Sequence, residues 1–133
     1  YRASQAGVEV KLIVRGVCCL RPGIPGVSEN IEVRSIIGRF LEHTRVYAFE
    51  NGGNKEVYAA SADLMDRNLF RRVETCFPIE NKKLHNRLIH DLDYYLKDNS
   101  QAWILQSDGS YQRVDSKNEA PFMAQYELLK ELT

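Results

Sequence analysis

The hydrophobic period of this chain changes once, at Pro78, and that change constrains the fold more than any other feature. Before Pro78 the apolar residues fall into short runs of period two, separated by Gly, Pro and Asn clusters. After it they recur at the 3.6-residue spacing of a helix. Short strands followed by a long amphipathic helix predict an α/β fold, with a mixed β-sheet flanked by helices.

The individual elements follow from the same periods. Residues 1–7 read as the last turn of a helix, with Gly7 taking its left-handed C-terminal cap. A domain opening on such a turn is expected to come from a longer chain. Val8, Val10, Leu12 and Val14 predict a strand over 8–14, nearly all apolar at its end as a central buried strand would be. Pro22, Gly23, Pro25 and Gly26 make residues 16–26 a structured loop. A second strand over 31–37 points Ile31, Val33 and Ile36/Ile37 inward. A third covers 44–49, and Asn51-Gly52-Gly53-Asn54 turns it into a fourth over 56–60. A short helix over 64–70 is expected with Asp63 as its cap, then a fifth strand over 72–77. Beyond Pro78, Leu84, Leu88, Ile89, Leu92, Tyr95 and Leu96 share one face of a helix over 81–97. Ser107-Asp108-Gly109-Ser110 predicts a second hairpin, and a final helix is expected over 120–132. With no repeat or low-complexity tract, the whole of 1–133 reads as a single domain.

Charge adds a direction. The net charge is zero, so no global basic field points to nucleic acid or an anionic membrane. Yet nine of the eleven arginines precede Pro78. Arginine suits planar, two-pronged contacts to phosphate or carboxylate, so an anion site is expected in the first two thirds. Cys18, Cys19 and Cys76 are odd in number and two are adjacent, which disfavours a disulfide framework. The pair reads as packing, no spacing suggests zinc, and a reducing, cytoplasmic setting is the default.

Three constellations could carry chemistry. Arg15-Gly16 ends the first strand, where open α/β sheets place their ligand crevice; alone, such an arginine is more often a surface residue. His43-Thr44-Arg45, Glu50 and Ser61-Ala62-Asp63 form the second. An imidazole titrating near neutrality can attack, protonate or hydrogen-bond a phosphoryl oxygen. The third comprises Arg67, Arg71, Arg72 and Glu74. In a strand Arg72 and Glu74 would share one face, either as a surface ion pair or as an arginine aimed at phosphate and held by its glutamate. His85 and His90 read as structural.

The second constellation resembles, in altered form, the phospholipase D pattern of His-x-Lys, an acid seven positions after the His, and Ser-x-Asn. Arg45, Glu50 and Asp63 are its departures. More of the chain resembles the type 1 polyphosphate kinases. The resemblance runs through residues 12–31 with their Gly/Pro loop, Ser35-Ile36-Ile37-Gly38-Arg39-Phe40-Leu41-Glu42-His43, Ser61-Ala62-Asp63-Leu64-Met65, Arg67-Asn68-Leu69 and Arg72-Val73-Glu74. It covers about 8–80 strongly and the remainder more loosely; Leu64 stands where the family usually has tryptophan.

The resemblance implies the last of two phospholipase D-like halves of an enzyme that moves the terminal phosphate of ATP reversibly onto inorganic polyphosphate. It implies a phosphohistidine and Mg2+ carried by the preceding part of the polypeptide, so no metal ligand is assigned here. Matched residue by residue, Arg15 would face the phosphates, His43 would act as acid or hydrogen-bond donor, and Arg72 with Glu74 would be a phosphate-facing pair. The implied partners are ATP or ADP, polyphosphate, the rest of the chain and further copies in a homo-oligomer, with no nucleic acid. The implied location is cytoplasmic, with membrane association of the full-length enzyme left open. The fragment alone is expected to be inactive. Two rival readings are a homodimeric phospholipase D-type phosphodiesterase or nuclease and a non-catalytic polyphosphate- or nucleotide-binding module.

Overall fold

The computed structural model describes residues 1–116 and 119–132. The chain groups into two compact units, one formed by Tyr1–Leu41 with Tyr94–Thr133 and the other by Glu42–Asp93. The strands divide between two sheets, one in each unit, with helices around them.

The first unit opens with α1 (Arg2–Gln5), which ends at Gly7 with φ +83°. Its sheet runs in the order β1 (Val10–Ile13), β2 (Ile31–Ile36), β6 (Ala102–Leu105), β7 (Tyr111–Arg113). β1 and β2 are parallel, with Leu12 opposite Val33, and the other pairs are antiparallel. Ile31, Val33 and Leu105 form the core, and Val10, Leu12, Val14 and Cys18 pack on it. Burial of a side chain such as Val33, fully buried here, contributes about 1.5–3 kcal/mol.

The expected central strand is therefore at the edge: β1 is half-buried, and β2 takes the centre with its alternating buried positions. An apolar run cannot by itself separate the two positions, because which strand gains a second neighbour depends on pairing remote in sequence.

The loop after β1 is held by its own polar groups. Ser28 is fully buried; its Oγ donates to the Arg21 carbonyl and accepts from the Ile24 N–H. Gly23 and Gly26 sit at φ +72° and +73°, where side chains other than glycine are strained. Arg21 donates from Nε to the Ser107 carbonyl at 2.9 Å, so it serves as a clamp.

The helices of this unit are set by caps. Arg34 on β2 donates from Nη1 to the Tyr95 and Leu96 carbonyls near the end of α3 (Lys82–Lys97), where a cation suits the helix dipole. Asp98 is almost fully buried and accepts three backbone N–H groups, from Ser100, Gln101 and Ala124. The last of these starts α4 at Ala124 (Ala124–Leu132), later than the expected residue 120. Asn99 meanwhile accepts the Phe122 N–H and donates to the Ala120 carbonyl, which fixes the approach as a non-helical segment.

The second unit holds β3 (Val46–Phe49), β4 (Glu56–Ala60) and β5 (Cys76–Pro78) in an antiparallel sheet of that order. Asn51, Gly52 and Gly53 all adopt positive φ in the β3–β4 turn, as its sequence predicts. α2 (Asp66–Arg71) follows β4, with Met65 as a cap that makes no side-chain bond. Asn81 caps α3 instead, accepting the Lys83 and Leu84 N–H groups.

Candidate functional site

Arg15 lies just past the carboxyl end of β1, exposed, its carbonyl accepting the Ser35 Oγ–H at 2.9 Å. It lines a hollow of about 230 Å³ with Gly16, Ser35, Ile37, Trp103 and Tyr111. Trp103 and Tyr111 come from β6 and β7, elements whose part in this hollow no local pattern indicates. A guanidinium beside two aromatic walls suits an anionic group carried on a larger ligand. A larger hollow of about 530 Å³ sits at the opposite end of the same sheet, and Glu9, Glu29 and Glu32 line it with Lys11. Three carboxylates against one ammonium repel phosphate, so chemistry favours the smaller hollow.

The other named residues belong to the second unit. His43 is exposed on the segment before β3. Arg45 donates from Nη1 to the His43 carbonyl and from Nε to Asp63 Oδ1, both at 2.8 Å. The carboxylate hydrogen bond raises the Arg45 pKa, and the charge of Asp63 adds to it. Asp63 is thus an ion-pair partner for β3 rather than the cap of α2. Arg45, where the phospholipase D pattern has its lysine, is occupied in positioning the backbone of His43. Glu50, the pattern's acid, pairs with Lys55 across the β3–β4 turn at 2.8 Å.

Arg72 and Glu74 are not in a strand. Arg72 is the extended residue that ends α2, and β5 begins only at Cys76. The intervening residues are tied to Ser61, whose Oγ accepts the Thr75 N–H and whose own N–H donates to the Thr75 carbonyl. Glu74 is anchored at both oxygens: Ser61 Oγ donates to one and Asn68 Nδ2 to the other. These bonds, with Arg72 and Arg45 adding through their charges, hold its carboxyl below the usual carboxylate range.

Asn68 is the inward residue of α2, 5% exposed, and its Oδ1 is buried without a hydrogen-bond partner. The sequence signal for this role is a polar residue on the buried side of a short helix. His85 donates from Nε2 to the Lys55 carbonyl at 3.0 Å, as a structural histidine would.

Glu74, Ser61, Asn68 and the field of Arg72 come together in the second unit, and Arg15 with its hollow belongs to the first. A family model described as polyphosphate kinase C-terminal domain 2 matches residues 1–125. The chain belongs to the polyphosphate kinase family. It is 62% identical to the polyphosphate kinase of Pseudomonas aeruginosa over 133 residues, covering 99% of this chain and 19% of that protein. It is 60% identical to the Pseudomonas putida polyphosphate kinase, covering all of this chain and 18% of the relative. The crystal structure of polyphosphate kinase from Porphyromonas gingivalis superposes with a TM-score of 0.94 at 42% identity, covering 98% of this chain and 20% of that one. This polyphosphate kinase domain spans about a fifth of the length of the relatives it matches.

Proposed function

We propose that the domain supplies phosphate-holding cations and one imidazole to the reversible transfer of the ATP terminal phosphate onto inorganic polyphosphate, together with the rest of a longer polypeptide. The observation that carries this reading is the Arg15 hollow at the carboxyl end of a parallel strand pair, in a chain of polyphosphate kinase ancestry.

A transferring phosphoryl group spreads negative charge over its equatorial oxygens, so positioned cations and hydrogen-bond donors do most of the catalysis. In this reading Arg15 and Arg72 hold the phosphate chain. His43 donates a hydrogen bond or proton to the bridging oxygen as charge develops there. Glu74, kept ionised by Ser61 and Asn68, steadies the Arg72 guanidinium. Arg45 positions rather than reacts, because both of its bonds are spent on Asp63 and the His43 carbonyl.

The Mg2+ that neutralises the phosphates would be held by the remainder of the polypeptide, as would the phosphohistidine. The reading carries with it a cytoplasmic homo-oligomer acting on ATP or ADP and polyphosphate. No described helix is long and apolar enough to cross a membrane.

The test is Arg15→Ala and His43→Ala in the complete protein. Each should lower polyphosphate synthesis by about a hundredfold or more. Near-normal synthesis by both variants refutes the assignment. Turnover of ATP by the isolated chain would refute the requirement for the rest of the polypeptide.

A further inference from the structure

Three of the eight Lys and Arg residues of the second unit form ion pairs within it. Arg45 pairs with Asp63, Lys55 with Glu50 and Arg87 with Asp91. Arg67, Arg71 and Arg72 are different. All three are exposed, and none takes part in an ion pair or side-chain hydrogen bond among the described residues.

Their placement is specific. Arg67 and Arg71 are four residues apart on α2, which puts them on one face with Cβ atoms about 5–6 Å apart. Like charges at that spacing repel, and neither side chain forms an ion pair among the described residues. Arg72 ends the same helix. The Asn68–Glu74 bond at 2.7 Å ties the inward side of α2 to the segment that follows Arg72. Arg67 and Arg71, without an ion pair among the described residues, and Arg72, whose charge acts on Glu74, are therefore carried on one short, tethered scaffold. A single terminal phosphate needs fewer. A linear polyanion, with a charge on every unit, would relieve the whole row.

We propose that Arg67 and Arg71 form a track for the polyphosphate chain, leading away from Arg72 and holding phosphate units beyond those that react. The proposal rests on the polyphosphate kinase reading given above and assigns these two residues to chain-length recognition rather than to chemistry.

The experiment compares the complete protein with its R67Q/R71Q variant. Affinity is measured for long-chain inorganic polyphosphate, tripolyphosphate, ATP and a single-stranded oligonucleotide across a range of salt concentrations. Both residues are exposed, so folding should be unchanged, and circular dichroism checks it. Long-chain affinity should fall about tenfold or more, while ATP and tripolyphosphate binding stay as they were. The slope of log affinity against log salt should lessen by about one for each cation removed. R67K/R71K, which keeps the charges, should retain most of that slope.

Unchanged long-chain affinity overturns the track, as does an equal loss for tripolyphosphate and ATP. An oligonucleotide bound as tightly as polyphosphate, and weakened as much, would make the row a general polyanion patch and also overturn it. If the unaltered protein fails to bind or make polyphosphate at all, the functional reading itself falls. If it succeeds and the variant matches it, only the track falls.

Discussion

Arg45 and Asp63 form an ion pair at 2.8 Å that joins the start of β3 to the segment after β4. The two residues stand at positions where the phospholipase D pattern has Lys and Asn, and they depart from it together. A lysine left free can meet a phosphate. An arginine facing a carboxylate is neutralised, and here it is also bonded to the His43 carbonyl. In this chain Arg45 is a brace for the segment bearing His43.

That brace is partly exposed, so its energetic weight is small. A double-mutant cycle on Arg45→Gln and Asp63→Asn should give only a weak coupling in urea unfolding. The larger effect should fall on His43: each single variant is expected to lower polyphosphate synthesis with little change in stability. Loss of activity that merely tracks loss of stability would contradict a positioning role.

Glu74 titrates below the usual carboxylate range because Ser61 and Asn68 donate to its ionised form, with smaller help from the charges of Arg72 and Arg45. A depressed folded pKa adds stability above the unfolded pKa and loses it as pH falls through the folded value. The contribution should therefore be present at neutral pH and fade only in the acid range. Asn68→Ala is expected to move the Glu74 carboxyl resonance midpoint upward in an NMR titration; an unmoved midpoint would show that the bond does not matter.

Gly38 illustrates close approach rather than turn geometry. A Cβ there would lie 2.3 Å from Gln125 Oε1 and 2.6 Å from Gln101 Oε1. Gln125 cannot simply swing aside, since its amide accepts the Phe40 N–H and donates to the Phe40 carbonyl, both at 2.9 Å. Gly38→Ala should destabilise by about 1–3 kcal/mol, measured by chemical denaturation. Pairing it with Gln125→Ala should recover part of the loss by making room.

Asp98 serves two elements at once, the turn after α3 and the start of α4. Asp98→Ala would leave one buried and two part-buried N–H groups without their acceptor, and each such loss costs up to about 1–3 kcal/mol before relaxation. A total of several kcal/mol is expected, with amide exchange of α4 accelerating first. A stability change under about 1 kcal/mol would mean that water replaces the carboxylate without difficulty.

The sequence by itself determined the element types, the two hairpin turns and the family, because period, turn chemistry and the Gly/Pro segment are local and each residue of them is committed by its neighbours. It also pointed to Arg15 at a strand end and to an arginine-rich first two thirds. Tertiary structure decided the rest. β1 became an edge and β2 the centre through pairing with β6, some seventy residues away in the chain. Asp63 went to Arg45 instead of capping α2, and residues 72–75, expected in a strand, precede one that begins only at Cys76. Trp103 and Tyr111 reached the Arg15 hollow from a hairpin remote in sequence. Each of these depends on which polar group finds its partner across the fold, a competition that is settled by distance in space and leaves no periodic trace in the chain.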